Sequence, residues 1–412
     1  MKNFSPLAED LERTRRVQEA LSDSIFSALI CSLPKHVLML TGYWPVVGTS
    51  IAVVAKDGLT YLIVPQDEEQ LARKGHADRI LTFQPGSLEK LTTAAEEARI
   101  PLREVLDEIH LPEGAIGSDI GSHVEPASYA AIHFYGSGVQ QWVRELAPDC
   151  HLHDAETLLA KLRSSLTPIE IERVQLACAL TGDAFIAGLS ALHSGITERR
   201  AADAFHSAFN TSSSSFQHGE RIQSFFYCMS GANSALADAA FARSRERILK
   251  PNDLIMIHCN SCIDGFWTDI TRTYVAGSPD QKQEAIYAAV FEAREAALSI
   301  IKPGVPAAEV DRAARDVLTK HGFGREFTHQ AGHGVGFDAI SPTSRPRIHP
   351  KSPDVLEAGM VFNIEPAVYI KGTGGIRHCD VVVVTQGGVE VLTPFQSRLE
   401  ELILPESGLS AA

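Results

Sequence analysis

The chain has 412 residues, more than one ordinary hydrophobic core supports and a length that suits two domains. Apolar residues make up 44%, enough to bury both cores, and charged residues make up 21%, which argues against disorder. The formal net charge of −14 excludes nucleic acid and anionic membrane as natural partners, because both would repel it.

The N-terminus, MKNFSPLAEDLERTRRVQ, is charged, lacks an apolar core and does not read as a signal peptide. Residues 26–32 and 50–64 are β-rich, and Asp57-Gly58 inside the second is a hairpin signal. Residues 88–110 and 125–145 read as helical. The first part is therefore a small α/β domain. The joint falls near KLRSSLTP (161–168), which places the domains at 1–163 and 164–406. Thr167-Pro168-Ile169-Glu170 is a helix start: the hydroxyl caps, Pro168 takes the first helical position and Glu170 completes a capping box. A long helix should run from there to about residue 193. Beyond 250 the pattern is strand, hairpin, helix (281–301), helix (306–321), a Gly-rich loop (331–336) and strands at 359–370 and 376–385. No unbroken apolar run reaches the ~18 residues of a membrane helix. The seven cysteines are odd in number and scattered, unlike a disulfide framework. The expectation is a soluble, cytoplasmic protein.

The hairpin IHCNSCIDGFWTDITRT (257–273) carries the first chemical signal. A two-residue turn at Asp264-Gly265 pairs Ile263 with Phe266, so Asn260 faces Asp269. Alternation puts His258, Asn260 and Cys262 on the face of Asp269. His258 is then a diagonal neighbour of Asp269, roughly 7–8 Å away at the backbone and within side-chain reach. Alone, the pair reads better as a structural His–Asp hydrogen bond than as a ligand pair. Three later segments add to it. In AGHGVG, His333 is flanked by glycines that permit close approach. In GMVFNIEP, an apolar strand ends in Glu365. In GGIRHCD, a turn runs into a Val-rich strand.

TDITRT, GHGVG, GMVFNIEP and GGIR…DVVVVT stand in the order of the pita-bread-fold family of methionine aminopeptidase, prolidase, aminopeptidase P and creatinase, which the second half resembles. The segment HVLMLTGY (36–43) makes the first half similar to the N-terminal domain of the prolidase and creatinase branch. The resemblance implies an α/β fold with a creatinase/prolidase-like N-terminal domain, a C-terminal pita-bread domain, homodimerisation, and hydrolysis of a C–N bond in a short peptide or small molecule. It also implies five ligands for two metal ions: two aspartates, a histidine and two glutamates. Asp269, His333 and Glu365 match three of them. The first aspartate position, eleven residues before Asp269, holds His258, and the last glutamate position holds Cys379. The positions kept are those of the first metal.

The expected cofactor is thus one divalent ion. Imidazole and sulfur make the site softer, which favours zinc over manganese, iron or cobalt. The metal ligands are drawn from Asp269, His333, Glu365, Cys379 and His258, and the catalytic residues are His258, Glu365 and His333. If Cys379 coordinates, four protein ligands close the shell; if it does not, one position stays open for water. Two departures concern the substrate and point away from ordinary Xaa-Pro cleavage. Ala235-Leu236-Ala237-Asp238 replaces the family's Ala-Leu-Pro-His, and Ile340-Ser341 replaces its His-Glu. Asp238, Arg377 and Ile340 are the substrate-binding candidates. Two alternatives remain open: a metal-free, creatinase-like hydrolase or lyase acting on a small cationic molecule, and a binding module that has lost catalysis.

Overall fold

A computed structural model describes residues 6–45, 49–86, 88–89, 91–111, 114–120, 137–193, 195–213, 219–238, 243–341 and 343–404. The chain forms two compact units. One comprises Met1–Glu170 with Ser341–Thr343, and the other comprises Ile171–Ile340 with Ser344–Ala412. The sequence boundary after residue 163 falls inside a helix, Glu156–Ser164.

The N-terminal unit is built on a six-stranded sheet: β1 (Phe26–Cys31), β2 (Ile51–Ala55), β3 (Thr60–Pro65), β4 (Arg79–Phe83), β5 (Ala115–Ser118) and β6 (His151–Asp154). Its order is β4-β3-β2-β1-β5-β6. The hairpin expected at Asp57-Gly58 joins β2 to β3 and pairs Val54 with Thr60. β1 is antiparallel to β2 and parallel to β5. The helices are α1 (Leu11–Ser22), α2 (Pro34–Thr41), α3 (Glu69–Ala72), α4 (Ala94–Glu108), α5 (Ser137–Leu146) and α6 (Glu156–Ser164). α4 starts in a capping box, with Thr93 Oγ1 accepting from the Glu96 N–H at 3.2 Å and Glu96 Oε2 accepting from the Thr93 N–H at 2.9 Å. The first part of the helix expected at 125–145 lies outside the described residues. The core joins Ile30, Ile51 and Val53 of the sheet to Leu102 and Val105 of α4 and Val143 of α5.

α7 (Pro168–Gly188) opens on the capping box read from Thr167 and Glu170: the Thr167 N–H donates to Glu170 Oε2 at 2.8 Å, and the Glu170 N–H to Thr167 Oγ1 at 3.3 Å. With the 3-10 turn to Ala191 it is long and apolar enough, by length and composition, to cross a membrane. A search for an unbroken apolar run passes over it because Glu170, Glu172, Arg173 and Asp183 interrupt the sequence. Over half of its most apolar stretch is buried, including Val174, Leu180 and Phe185, as in a core helix of a globular domain.

The C-terminal unit adds α8 (Glu198–Ser213), α9 (Gln281–Ile300) and α10 (Ala307–Lys320). Its main sheet contains β7 (Ile222–Ser230), β8 (Leu254–Ile263), β9 (Phe266–Trp267) and β10 (Ile270–Ala276). Next come β11 (Gly332–His333), β12 (Arg347–Ile348), β13 (Val361–Ile364), β14 (Ala367–Ile370), β15 (Gly374–Arg377), β16 (Asp380–Thr385) and β17 (Gly388–Val391). A last short strand, β18 (Ile403–Leu404), pairs parallel with β10. The Gly-rich stretch read as a loop is in part a strand, since β11 pairs antiparallel with β12. Glycine is required there: a Cβ on Gly332 would lie 1.9 Å from the Asn363 carbonyl oxygen.

Candidate active site

The hairpin register sets the site. Ile263 pairs with Phe266 and His258 with Thr271. Asp264 and Gly265 both have positive φ, 48° and 89°, as a tight two-residue turn requires. Thr268 and Asp269 fall in the gap between β9 and β10. Glu365 sits in the gap between β13 and β14, and Cys379 in the gap between β15 and β16. His333 ends β11. Three of the candidate ligands thus stand where a strand is interrupted.

These side chains converge on Asp269. His333 Nε2 is 3.5 Å from Asp269 Oδ2 and 3.9 Å from Glu365 Oε1. Cys379 Sγ is 3.6 Å from Asp269 Oδ1 and donates to the Asp269 carbonyl at 3.1 Å. His258 Nδ1 is 3.7 Å from Asp269 Oδ1 and 3.1 Å from Thr271 Oγ1. All five are buried or nearly so. Asp269 is common to the contacts of His333, Cys379 and His258, Glu365 joins through His333, and among the described residues no three of these donors close into one group.

Burial is the largest influence on His258, His333, Asp269 and Cys379, and the neighbours decide the outcome. At His258, burial aided by the Arg377 guanidinium lowers the imidazole to about 4, despite Asp269, so the ring is neutral at pH 7. At His333, burial is outweighed by Asp269 and Glu365, which raise the ring to about 9. Asp269 is held low by His333, His258 and Arg377 against its own burial. Burial beside Asp269 and Glu365 pushes the Cys379 thiol well up, consistent with a protonated sulfur donating to a carbonyl.

The donor set fits a divalent ion. His333 Nδ1 donates to the Gly334 carbonyl at 3.2 Å, which fixes the ring and turns Nε2 toward the two carboxylates. The raised affinity of Nε2 for a proton marks this point as one that attracts positive charge. The separations of His333 Nε2 from Asp269 Oδ2 and Glu365 Oε1, 3.5 and 3.9 Å, are near the roughly 3.3–3.7 Å that tetrahedral ligands with bonds of about 2.0–2.3 Å would span. Among the described residues no three of these donors all lie within 4.8 Å of one another, so they would close up around an ion. Asp269, His333 and Glu365 would hold the ion, with Cys379 adjacent.

Of the substrate-binding candidates, Arg377 belongs to the cluster: its Nε donates to Thr271 Oγ1 at 3.0 Å, the hydroxyl that also meets His258. Asp238 is exposed, and its Oδ2 accepts from Thr328 Oγ1 at 3.3 Å; the preceding carbonyl, of Ala237, lies 3.5 Å from Arg377 Nη1. Ile340 is half-buried and takes no part in the contacts above. Two contributors escape a reading by resemblance. Asn363 Oδ1 accepts the His333 N–H at 2.6 Å, which fixes its amide, so Nδ2 faces His333 Nε2 at 3.2 Å and Cys379 Sγ at 3.6 Å. Tyr369 OH lies 3.0 Å from His329 Nε2 and 3.5 Å from Arg377 Nη1. The placement of Asn363 two residues before Glu365, on an alternating strand, is the signal that finds it.

The model of metallopeptidase family M24 matches residues 172–386. An Xaa-Pro dipeptidase of Lactobacillus helveticus is 34% identical over 63% of this chain and 68% of its own length. An Xaa-Pro dipeptidase of Pyrococcus horikoshii is 26% identical over 94% of this chain and 98% of its own. Among solved structures, the prolidase from Pyrococcus furiosus superposes with a TM-score of 0.71 at 26% identity, covering 92% of this chain and 99% of that one. The Xaa-Pro dipeptidase from Bacillus anthracis does so with 0.77 at 23%, covering 96% and 99%. The fold is therefore the pita-bread fold with its N-terminal companion domain, and family membership implies a divalent metal ion. The chain belongs to metallopeptidase family M24 and is a peptide-bond hydrolase.

Proposed function

We propose that the protein is a cytoplasmic, homodimeric dipeptidase that cleaves Xaa-Pro-type peptides with one divalent ion, zinc by preference, held by Asp269, His333 and Glu365 with Cys379 at its edge. The observation that carries this reading is His333 Nε2, turned between two carboxylates by the Gly334 carbonyl. The dipeptidase names of the relatives that align along most of the chain support the substrate class. They speak against the metal-free and binding-module alternatives.

A divalent ion, when bound, supplies Lewis acidity and lowers the pKa of its water. The chain's own residues do the rest. His258, neutral at pH 7 and aligned by Thr271 Oγ1, accepts a proton from the attacking water. Glu365 is the second proton carrier: it receives from His258 the proton taken from the water and passes it to the departing amine. Arg377 is buried and, among the described residues, has no carboxylate partner, so it suits the substrate's terminal carboxylate. Asp238 and Ile340 line the approach, with Asp238 meeting the substrate's ammonium group.

The test is metal content per chain by mass spectrometry, on protein purified without chelator, beside a Cys379→Ser variant, followed by turnover of Xaa-Pro dipeptides. One ion at the catalytic cluster, held less tightly in the variant, with dipeptide turnover, is the expected result. No ion in either protein overturns the metallohydrolase reading. Two ions that are both weakened in the Cys379→Ser variant overturn the mononuclear one.

A further inference from the structure

The described residues contain a second set of metal-binding side chains, wholly inside the N-terminal unit. Cys31 ends β1, and Asp119 follows β5, its parallel neighbour, where Ile30 pairs with Ser118. His36 lies in the first turn of α2. The donor atoms of Cys31, His36 and Asp119 all fall within 4.8 Å of one another. The three residues are 0%, 0% and 2% exposed.

Part of this arrangement has an ordinary explanation. Asp119 Oδ2 accepts the Ser32 and Leu33 N–H groups, at 2.9 and 2.8 Å, and lies 3.1 Å from His36 Nδ1, so it caps the start of α2. Capping does not account for the rest. A buried thiol stands against the same carboxylate, and the Asp119 main-chain N–H reaches its sulfur. Three buried oxygens on residues next to these, Ser32 Oγ, Ser118 Oγ and Gln140 Oε1, have no hydrogen-bond partner among the described residues. The Gln140 amide is anchored beside Asp119, with Nε2 3.4 Å from Oδ1. Orphaned buried polar atoms are rare and call for a water or an ion.

We propose that Cys31, His36 and Asp119 form a zinc-class metal site separate from the catalytic cluster. One sulfur, one imidazole nitrogen and one carboxylate oxygen are a borderline-soft set that suits zinc or cobalt. The surroundings also fit. Arg163 Nη1 donates to His36 Nε2, so the ring proton lies on Nδ1, toward Asp119. A metal on Nδ1 displaces that proton to Nε2, where Glu156 Oε2 at 3.7 Å accepts it, and Arg163 turns from the ring while keeping Glu156 Oε1 at 2.8 Å and Thr343 Oγ1 at 3.1 Å. Among the buried groups, Asp119 and Glu156 outnumber Arg163 by one negative charge; a divalent ion, with release of the Cys31 proton, removes that excess. Cys31, His36 and Asp119 are themselves shut off from solvent, so the ion is structural and ties β1, α2 and β5 together.

The experiment uses the full chain, stripped with chelator and titrated with cobalt(II). Cys379 is the other thiolate candidate, so the parent is the Cys379→Ser variant. A thiolate-to-cobalt charge-transfer band that saturates within two equivalents, one for each site, is expected in the parent. It should vanish on adding Cys31→Ser, and His36→Asn should weaken cobalt binding at least ten-fold. A folded Cys379→Ser protein with no such band overturns the proposal, and so does a band that survives Cys31→Ser. The parent needs no change in the N-terminal unit, so misfolding of the added variants does not protect the proposal.

Discussion

His333 Nε2 stands 3.5 Å from Asp269 Oδ2 and 3.9 Å from Glu365 Oε1, and the two carboxylates raise the ring's affinity for a proton as they would for a cation. Free His333 titrates near 9, so at pH 7 the ring is protonated; as a ligand it cannot be. Metal uptake at pH 7 should therefore release about one proton from His333, and a second if Cys379 coordinates. Calorimetry in buffers of different ionisation enthalpy measures the number. It should drop by one in Cys379→Ser if sulfur binds, and the His333 share should fade as pH rises past 9.

His258 replaces a carboxylate, and its neutrality at pH 7 is the basis of its assigned role. His258→Gln keeps a polar group beside Thr271 and removes the base. Turnover should fall by about 10²–10⁴-fold, with metal content and KM little changed. Loss of the ion in this variant would make His258 a ligand instead.

Asp380 holds two buried cations. Its Oδ1 pairs with Arg272 Nη2 at 2.7 Å and its Oδ2 with Arg294 Nε at 2.5 Å, and both Asp380 and Arg272 are fully buried. Asp380→Ala leaves a buried guanidinium uncompensated and should cost about 3–5 kcal/mol of stability, read from urea unfolding. A cost below about 1 kcal/mol would mean that the carbonyls around Arg272 suffice.

Glu156 gives the N-terminal unit an acid-sensitive ion pair. Burial would raise it, but Arg163 and His36 hold its carboxyl at about 2, against 4.5 in the unfolded chain. Its folded pKa is depressed, so its contribution is present above pH 4.5 and lost as pH falls toward 2. The shift corresponds to about 3 kcal/mol. The stability gap between the wild type and Glu156→Gln should close across that window. A gap independent of pH would assign the loss to packing.

Much of the C-terminal site is legible in the sequence because it is local. The turn at Asp264-Gly265 sets the register, and the register alone brings His258 to Asp269. The strand at Gly332–His333 is not legible, since glycine has low β propensity and its partner, Arg347–Ile348, comes from further along the chain. Asn363 hides because its role depends on a close approach between β11 and β13 that no short window contains. The cluster at Cys31 is harder still. Only the parallel pairing of β1 with β5 brings Asp119 to it, and parallel neighbours are joined by long crossovers.

The interruptions that carry Asp269, Glu365 and Cys379 bear on how such a site diversifies. Asp269 and Glu365 stand outside the named strands, whereas His258 lies within paired β8 and Cys379 is bridged to Thr271 by its own main chain. Exchange of carboxylate, thiol or amide is thus cheapest for folding at 269 and 365. The scaffold behaves there as a socket with replaceable contacts.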